Sequence, residues 1–470
     1  MVLGSDVRGA MYGCTALLEK LGVRWFTPRV TRVPRRTDIE LGEIDERQGP
    51  DFEYRETYIA ESFDKDWAAR LRTNGQSAGL DESTGGKVRY EHFVHTFDEL
   101  IPPGEFVGHP EYFPVINGKR TSGYVQRCLS NPEVLKLMTG KVKGWMEASP
   151  GAKIFSVSQN DANKFCECEQ CKAIEARYGG KHSGIYLWFV NQIAEAIEKE
   201  HPEKLIDTLA YMFTEEPPVG IVPRKNVRVR LCPIGACEAH AYESDKDPKT
   251  IAFMANLKGW AKITDTLYIW HYNTDFGHYL MPFPDFGQFP DSIRLYKRSG
   301  VKGIFFEGAS SPGSADAELK SYVMAHLLWD SRQDADGLVN EWMGGVYGPA
   351  ARPMRQWFDL LHEKVKPPER HLHIFERPTN YFLTPEVLAA GDKLFDEAQG
   401  LCGGDETARY YVGKARLGLK YVELVRKPEA KAFEAFKGEL GKYGVNHLSE
   451  RQALSDWEKV FVGRMAGAGN

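Results

Sequence analysis

Short apolar runs alternate with longer helical runs between residues 51 and about 330. The apolar runs are rich in β-branched and aromatic residues, whereas the runs between them repeat apolar residues at helical intervals. Strands are predicted at residues 54–59, 92–97, 126–130, 154–161, 205–213, 227–234, 267–273 and 303–309, and the clearest helices between them at 183–201 and 289–300. Eight strands that alternate with helices over this length favour a parallel, closed (β/α)₈ TIM barrel at residues 50–350.

The segments on either side of the predicted barrel have different patterns. Residues 6–25 space apolar side chains at helical intervals up to Gly22, after which a strand begins. One helix and a strand cannot bury a core alone, so residues 1–48 are interpreted as the remnant of a small α/β accessory domain, with a linker at 40–50. Residues 351–470 carry further helical patterns and are predicted to form an all-helical C-terminal region.

Composition and charge narrow the class of partner. The net charge of -5 comes from 60 basic and 65 acidic residues that are mixed along the chain, which argues against a nucleic acid partner. No apolar run reaches the roughly 20 residues of a membrane span. The first residues do not have the pattern of a signal peptide, and the abrupt start is interpreted as a truncated N-terminus. The oligomeric state cannot be predicted from these features.

Asp161 is the first candidate for catalysis. The apolar run at 154–157 is followed directly by Ser158, Gln159, Asn160 and Asp161. In a barrel, functional groups gather where strands end, and a carboxylate there can protonate a leaving oxygen while its neighbours orient the substrate. The alternative is an Asn-Asp turn that caps the next helix.

Glu307 is the second candidate for catalysis. It follows Phe305 and Phe306 at the end of the eighth predicted strand. Apolar neighbours remove water from a carboxyl group and raise its pKa, which a general acid requires. The alternative is a glutamate paired with a basic residue across the mouth of the barrel.

Other polar and aromatic residues at or just after strand ends are predicted to bind a substrate. They are His95, His109, Glu111, Gln159, Asn160, Tyr211, Trp270, His271, Tyr272 and Asn273. The run at 270–273 is dense in groups that stack on sugar rings or bind hydroxyls. Core packing of the rings and structural roles for single histidines are the alternatives.

A cysteine cluster follows Asp161 closely. Cys166, Cys168 and Cys171 lie within six residues, and three thiolates at this spacing can face one zinc ion. Cys232, Cys237 or His240 is a candidate fourth ligand. A structural zinc site is one interpretation, and a local cross-link or free thiols are the others. No cofactor is expected to be required for catalysis.

Five segments resemble, in order and spacing, proteins that carry the domain of unknown function 4838. They are VSQNDANKFCECEQC, AYMFTEEPP, VRLCPIGACEAHAY, WHYNTDFGHYLMPFPDF and VKGIFFEGASSPGSADAELKSYVMAHLLWD. This domain overlaps glycoside hydrolase family 163. The opening VRGAMYGCTALLEKLGVRWFTP resembles the end of the small α/β domain that precedes the barrel in hexosaminidase and α-glucuronidase relatives. The resemblance covers about residues 6–350.

The resemblance implies a TIM barrel, a secreted or periplasmic setting and hydrolysis of glycans, with β-N-acetylglucosaminidase-like activity. Asp161 is then expected to be the general acid/base. Glu307 is expected to be the second carboxylate, or to orient an N-acetyl group of the substrate that acts as an internal nucleophile. The sequence departs from the family at this second position, where a glutamine is common.

Two rival functions follow from the same fold. A barrel that has lost catalysis would be a non-catalytic glycan-binding protein. An α-glucuronidase-like exo-hydrolase would need a basic clamp on the uronate carboxylate, and Arg127 is the only arginine that we place near a predicted strand end.

Overall fold

The computed structural model describes residues 1–35, 38, 39 and 41–467, and the side chains of residues up to 461. Its strands are β1 (Arg24–Thr27), β2 (Val30–Arg32), β3 (Tyr54–Tyr58), β4 (Tyr90–Glu91), β5 (Val115–Ile116), β6 (Lys119–Arg120), β7 (Ile154–Ser156), β8 (Leu205–Ala210), β9 (Val227–Leu231), β10 (Tyr268–Tyr272), β11 (Gly303–Glu307), β12 (His447–Ser449) and β13 (Gln452–Ala453). Seven of them form one curled, wholly parallel sheet in the order β3-β11-β10-β9-β8-β7-β4.

Six of the eight predicted barrel strands are confirmed, at 54–59, 154–161, 205–213, 227–234, 267–273 and 303–309, although each is shorter than predicted. The predictions at 92–97 and 126–130 are wrong. His92 and His95 have φ values of 52° and 56°, in a region that breaks an extended strand. Residues 126–130 form an irregular buried segment, where the Arg127 guanidinium donates hydrogen bonds to the carbonyl of Ile101.

The two edge strands of the sheet, β3 and β4, are connected through the segment around Asn74. The backbone N–H of Asn74 donates to the Arg55 carbonyl, and the Arg55 N–H donates to the Asn74 side chain. On the other side, the N–H of Val88 donates to the carbonyl of Asn74, two residues before β4. These hydrogen bonds bring the edges together, although in the described residues β3 and β4 are not paired as strands.

Helices surround this sheet and form most of the C-terminal region. They are α1 (Val7–Lys20), α2 (Lys65–Arg70), α3 (Phe97–Leu100), α4 (Pro132–Ala148), α5 (Glu169–Arg177), α6 (His182–Glu198), α7 (Pro248–Ile263), α8 (Phe289–Arg298), α9 (Ala317–Trp329), α10 (Ala335–Tyr347), α11 (Ala351–Val365), α12 (Pro385–Leu401), α13 (Glu406–Arg426), α14 (Ala430–Lys442) and α15 (Leu454–Gly467). In α4 and α7 the side chains of Asn131 and Asp247 cap the first turn, and proline takes the first helical position. None of the described helices is long and apolar enough to cross a membrane.

The N-terminal segment packs against helices α2 and α10. Trp67 and Trp342 donate indole hydrogen bonds to the carbonyls of Trp25 and Phe26 in β1. The helix and the strand predicted near the N-terminus are present as α1 and β1. The accessory domain to which they were assigned stays a prediction. The expectation of an all-helical C-terminal region is wrong at one place, because residues 447–453 form the antiparallel hairpin of β12 and β13.

That hairpin is attached to the loop after β10. The N–H of Tyr279 donates to the carbonyl of Leu448, and the N–H of Glu450 donates to the carbonyl of Phe276. The turn of the hairpin consequently lies over the carboxyl end of the sheet, although it is far along the chain from the strand whose loop it contacts.

Candidate active site

A cavity of about 420 Å³ opens at the carboxyl ends of the parallel strands. Because these ends meet at one edge of the sheet, residues distant in sequence share its walls. The lining residues are Tyr58, Gln76, Ser77, Phe93, Val94, His95, Asp161, Leu209, Tyr211, Cys232, Ile234, Trp270, Tyr272, Phe276, Phe305, Glu307, Ile374, Phe375, Glu450 and Arg451. Both candidate carboxylates belong to this set, and most of the remaining wall is aromatic or aliphatic.

Glu307 is the last residue of β11 and lies beside Tyr272 in the parallel register. The indole of Trp270 donates a hydrogen bond of 2.8 Å to one of its carboxyl oxygens. Burial raises the pKa of Glu307 to about 8. The hydrogen bond from Trp270 lowers this pKa, and the nearby carboxylates of Glu450 and Asp161 raise it further. The side chain therefore holds a proton at neutral pH.

Asp161 reaches the cavity from the loop after β7. Its carboxylate accepts a hydrogen bond of 3.1 Å from the hydroxyl of Tyr211, which itself follows β8. Gln159 stabilises this arrangement from behind, since its side-chain amide donates to the carbonyl of Tyr211 and to the hydroxyl of Thr214. The two candidate carboxyl groups thus have different environments, because burial keeps Glu307 protonated and Asp161 accepts a phenolic hydrogen bond.

Several of the predicted substrate-binding residues also line the cavity: His95, Tyr211, Trp270 and Tyr272. The imidazole Nδ1 of His95 lies 2.8 Å from the carbonyl of Gln159, so the ring is held by the same loop that carries Asp161. The indole of Trp270 packs against Phe305, with ring centroids 4.5 Å apart. Together these rings form a surface suited to the apolar face of a sugar.

Four predicted substrate-binding residues are buried behind the cavity instead: Gln159, Asn160, His271 and Asn273. Successive side chains of a strand point to opposite faces, so His271 points away from the cavity that Trp270 and Tyr272 line. Its ring nitrogens lie 2.8 Å from the Tyr296 hydroxyl and 3.1 Å from the side-chain oxygen of Gln288.

The side chains of Asn160 and Asn273 likewise have internal partners. Asn160 donates to the carboxylate of Asp98 at 2.6 Å, and Asn273 donates to the sulfur of Met324 at 3.6 Å. These contacts place the side chains behind the cavity wall, and their substrate-binding role stays a prediction.

His109 and Glu111 lie outside the cavity, on an exposed loop. Their side chains pair with each other at 3.0 Å, and the imidazole stacks on Tyr112 at 4.6 Å. The loop that carries them turns toward solvent, so neither residue lines the cavity, and a substrate-binding role for them stays a prediction. Arg127, considered as a uronate clamp, is also absent from the cavity lining, because its buried guanidinium pairs with Asp98 at 2.5 Å.

Sequence reasoning missed the part of the cavity that the C-terminal region supplies. Ile374 and Phe375 come from the loop after α11, and Glu450 and Arg451 from the hairpin turn. The loop is fixed to the end of β10, because the carboxylate of Asp275 accepts a 2.6 Å hydrogen bond from the N–H of Glu376. No local pattern identifies these residues, since only tertiary packing brings them to the strand ends.

The cysteine cluster contains a residue that the sequence did not associate with it. Cys128 joins Cys166, Cys168 and Cys171, and its sulfur lies 3.8 Å from Cys168 Sγ and 4.0 Å from Cys171 Sγ. None of these four cysteines forms a disulfide in the structure. The suggested fourth ligands, Cys232, Cys237 and His240, lie elsewhere, with Cys232 in the cavity wall.

The family comparison covers most of the chain. The model of a domain of unknown function, DUF4838, matches residues 25–359. No curated protein matches the chain.

The solved structures to which the chain is similar include glycoside hydrolases of low sequence identity. CpGH84B is 12% identical, with 93% of this chain and 78% of that chain covered and a TM-score of 0.41. The O-GlcNAc hydrolase of Thermobaculum terrenum is 11% identical, with 67% and 68% covered and a TM-score of 0.38. A GH138 enzyme that targets pectin rhamnogalacturonan II is 10% identical, with 95% and 66% covered and a TM-score of 0.43.

Proposed function

The chain belongs to the DUF4838 family, and on this premise we propose that it hydrolyses glycosidic bonds at the cavity that Asp161 and Glu307 line. The contrast between these two carboxyl groups carries the proposal. Glycosidases use a pair of carboxyl groups, one that donates a proton to the leaving oxygen and one that acts as a nucleophile, a base or a stabilising charge.

Glu307 has the environment of the proton donor. A general acid must hold its proton at the working pH, and burial raises the pKa of Glu307 to about 8. The Trp270 indole donates to one carboxyl oxygen, which leaves the other to carry the proton toward a substrate. We therefore assign the acid role to Glu307, whereas the sequence favoured Asp161.

Asp161 has the environment of the second carboxylate. The Tyr211 hydroxyl donates to its Oδ1 and orients the group at the cavity wall. A carboxylate in this position can accept the N–H of a 2-acetamido group and align its carbonyl with the anomeric carbon, as substrate-assisted hydrolysis requires. This chemistry supports a β-N-acetylglucosaminide as the substrate class.

The cavity walls favour a sugar over other ligands of similar size. Trp270, Tyr272, Phe276 and Phe305 provide ring surfaces, and Gln76 and Ser77 add hydrogen-bonding groups to the lining. Sugars present apolar C–H faces and polar edges, so this mixed lining matches both. The secreted or periplasmic setting implied by the resemblance remains a prediction.

A panel of aryl glycosides tests the proposal. We expect turnover of the aryl β-N-acetylglucosaminide, and a loss of roughly 10²–10⁴-fold on glycans with poor leaving groups in the Glu307→Gln variant. Glu111→Gln, which changes an exposed glutamate outside the cavity, is the matched control and should keep the parent rate. Binding of complex N-glycans without turnover of any glycoside would favour the glycan-binding alternative. Preferred turnover of the α-glucuronide would favour the α-glucuronidase-like alternative, with Arg451 of the cavity lining as the candidate clamp.

We also propose that Cys128, Cys166, Cys168 and Cys171 bind a structural zinc ion. Four thiolates at about 2.3 Å from a tetrahedral zinc ion are about 3.8 Å apart. The sulfur separations of 3.8 and 4.0 Å in the cluster are close to this value. The backbone N–H of Val115 donates to the sulfur of Cys166 at 3.4 Å, a contact that supports a thiolate. Zinc analysis of the purified protein, with counting of reactive thiols, tests this: abundant reactive thiols and no zinc would overturn it.

A further inference from the structure

A second group of metal-ligand side chains lies on the far side of the cavity wall. Cys237, His240 and Asp245 come from the loop after β9, and His371 comes from the loop between α11 and α12. One ligand atom of each residue lies within 4.8 Å of the others. These four residues take no part in the proposed hydrolysis.

The separations of the ligand atoms fit a tetrahedral ion. His240 Nδ1 and His371 Nδ1 each lie 3.4 Å from Asp245 Oδ1, and Cys237 Sγ lies 3.4 Å from His240 Nδ1. Nitrogen and oxygen ligands on a tetrahedral zinc ion are about 3.4 Å apart, and sulfur and nitrogen ligands about 3.6 Å. The atoms are thus already spaced as a first coordination shell.

Polar atoms of this group are buried without hydrogen bonds. Asp245 is 7% exposed, and neither of its carboxylate oxygens has a hydrogen-bond partner of good geometry. The same holds for Nδ1 of His371. Burying a carboxylate whose donors are poorly aligned is costly unless a cation compensates it, so the Asp245 and His371 atoms point to a positive partner at this position.

The remaining contacts resemble those that orient metal ligands. His240 Nε2 lies 3.2 Å from the carbonyl of Lys366, so the ring carries its proton there and presents Nδ1 to the cluster. The N–H of Ala239 donates to the sulfur of Cys237 at 3.4 Å, which stabilises a thiolate. Both contacts prepare the side chains to bind a cation.

We propose that Cys237, His240, Asp245 and His371 bind a structural zinc ion that joins the loop of residues 366–376 to the loop after β9. Thiolate, imidazole and carboxylate are zinc ligands, and four protein ligands leave no open position for a substrate. A backbone hydrogen bond from Glu238 N–H to the Leu372 carbonyl reinforces this junction.

The ion would brace one wall of the cavity. Ile374 and Phe375, which line the cavity, follow His371 closely in the same loop. The rival explanation is a protonated His240 paired with Asp245, which would satisfy the carboxylate without a metal. The two explanations differ in metal content, so metal content is the quantity to measure.

Zinc analysis of the full chain and three variants tests the proposal. We expect His371→Ala and Asp245→Asn each to contain one zinc equivalent less than the parent. His373→Ala is the matched control, because this histidine lies on the same loop but contacts Asp247 and Glu376, and it should keep the parent zinc content. The nearly isosteric Asp245→Asn variant keeps the test valid where His371→Ala fails to fold.

Cobalt substitution separates this site from the four-cysteine cluster. Four thiolates give strong sulfur-to-cobalt charge transfer, whereas one thiolate gives a weak band. His371→Ala should therefore lose one equivalent of bound cobalt with its share of the visible absorption, and keep most of the charge transfer. Equal zinc content in the parent and both variants would overturn the proposal. The proposal would also be overturned if Cys168→Ser abolished the whole cobalt spectrum while the protein stayed folded. Neither readout depends on turnover, so hydrolysis can fail while this proposal stands.

Discussion

The loop after β7 contributes residues to both the cavity and the four-cysteine cluster, and the two regions arrange their reactive groups in opposite ways. Asp161 and Cys166 are close neighbours in the chain. Asp161 lines a cavity of about 420 Å³, where its carboxylate can contact a ligand. The cysteine sulfurs face one another, with Cys166 and Cys171 buried. Groups that turn toward open space are expected to determine activity, and groups that turn toward each other are expected to determine stability.

The largest effect is expected at Asp161. Replacement by asparagine keeps the shape and removes the charge, so kcat/KM for an aryl β-N-acetylglucosaminide should fall by roughly 10²–10⁴-fold. The free energy of unfolding should change by no more than about 1 kcal/mol, because the asparagine oxygen can still accept the hydrogen bond from the Tyr211 hydroxyl. Kinetics and chemical denaturation of the same preparation check both numbers. Unfolding of Asp161→Asn would mean that the residue is a structural cap.

The opposite result is expected at Cys171, which is 1% exposed. In Cys171→Ser the zinc content should fall by one equivalent and the unfolding free energy by about 3 kcal/mol, as when one partner is removed from a buried charged site. The rate per folded molecule should change far less than in Asp161→Asn. Differential scanning calorimetry with zinc analysis measures this. A stable Cys171→Ser variant with the parent zinc content would remove the distinction between the two regions.

A smaller effect concerns stability and pH. Burial raises the pKa of Glu307 from an ordinary value of 4.5 to about 8, so between these pH values the folded chain holds a proton that the unfolded chain has lost. The contribution of Glu307 to stability therefore falls as pH rises from about 4.5 to about 8 and is constant above. The unfolding free energy falls by at most about 1.4 kcal/mol per pH unit from this group.

The amide in Glu307→Gln does not titrate, so the variant should lack this part of the fall in unfolding free energy with rising pH. Denaturation of both proteins at several pH values measures the difference, and the variant should gain stability relative to the parent as the pH approaches the raised pKa of Glu307. Parallel curves would mean that Glu307 is already ionised at neutral pH, which would return the acid role to Asp161.

The smallest effect is expected at the rim of the cavity. Arg451 is exposed and pairs with Glu450 at 3.6 Å, and such pairs contribute between 0 and about 1 kcal/mol. Arg451→Ala should raise KM for a neutral glycoside by no more than about fivefold and leave kcat unchanged. A large loss confined to acidic sugars would identify Arg451 as a uronate clamp and revise the substrate class.

The sequence predicted the central part of the sheet well, because its strands are buried on both faces and appear as continuous apolar runs. β10 and β11 are examples, and the structure has Tyr272 and Glu307 at their ends. The alternation of a strand would also have identified His271 as pointing away from the cavity. The prediction of a strand at residues 92–97 failed because the apolar side chains of Phe93 and Val94 line the cavity instead of extending a strand.

What the sequence did not predict depends on contacts between distant segments. Cys128 lies far before Cys166 in the chain, outside any metal-binding spacing, and joins the cluster only because the irregular segment at 126–130 packs against the loop after β7. Ile374 and Glu450 reach the cavity through backbone hydrogen bonds to the loop after β10. Backbone hydrogen bonds of this kind have no side-chain pattern, so the sequence carries no local signal for them.

The most direct test of the account compares leaving groups in the two carboxylate variants. Protonation matters for a poor leaving group and hardly at all for an activated one. If Glu307 is the acid, Glu307→Gln should lose most of its rate on natural glycans and little on an activated aryl β-N-acetylglucosaminide, while Asp161→Asn should lose rate on both. The reverse pattern, with Asp161→Asn selective for poor leaving groups and Glu307→Gln impaired on both, would contradict the assignment.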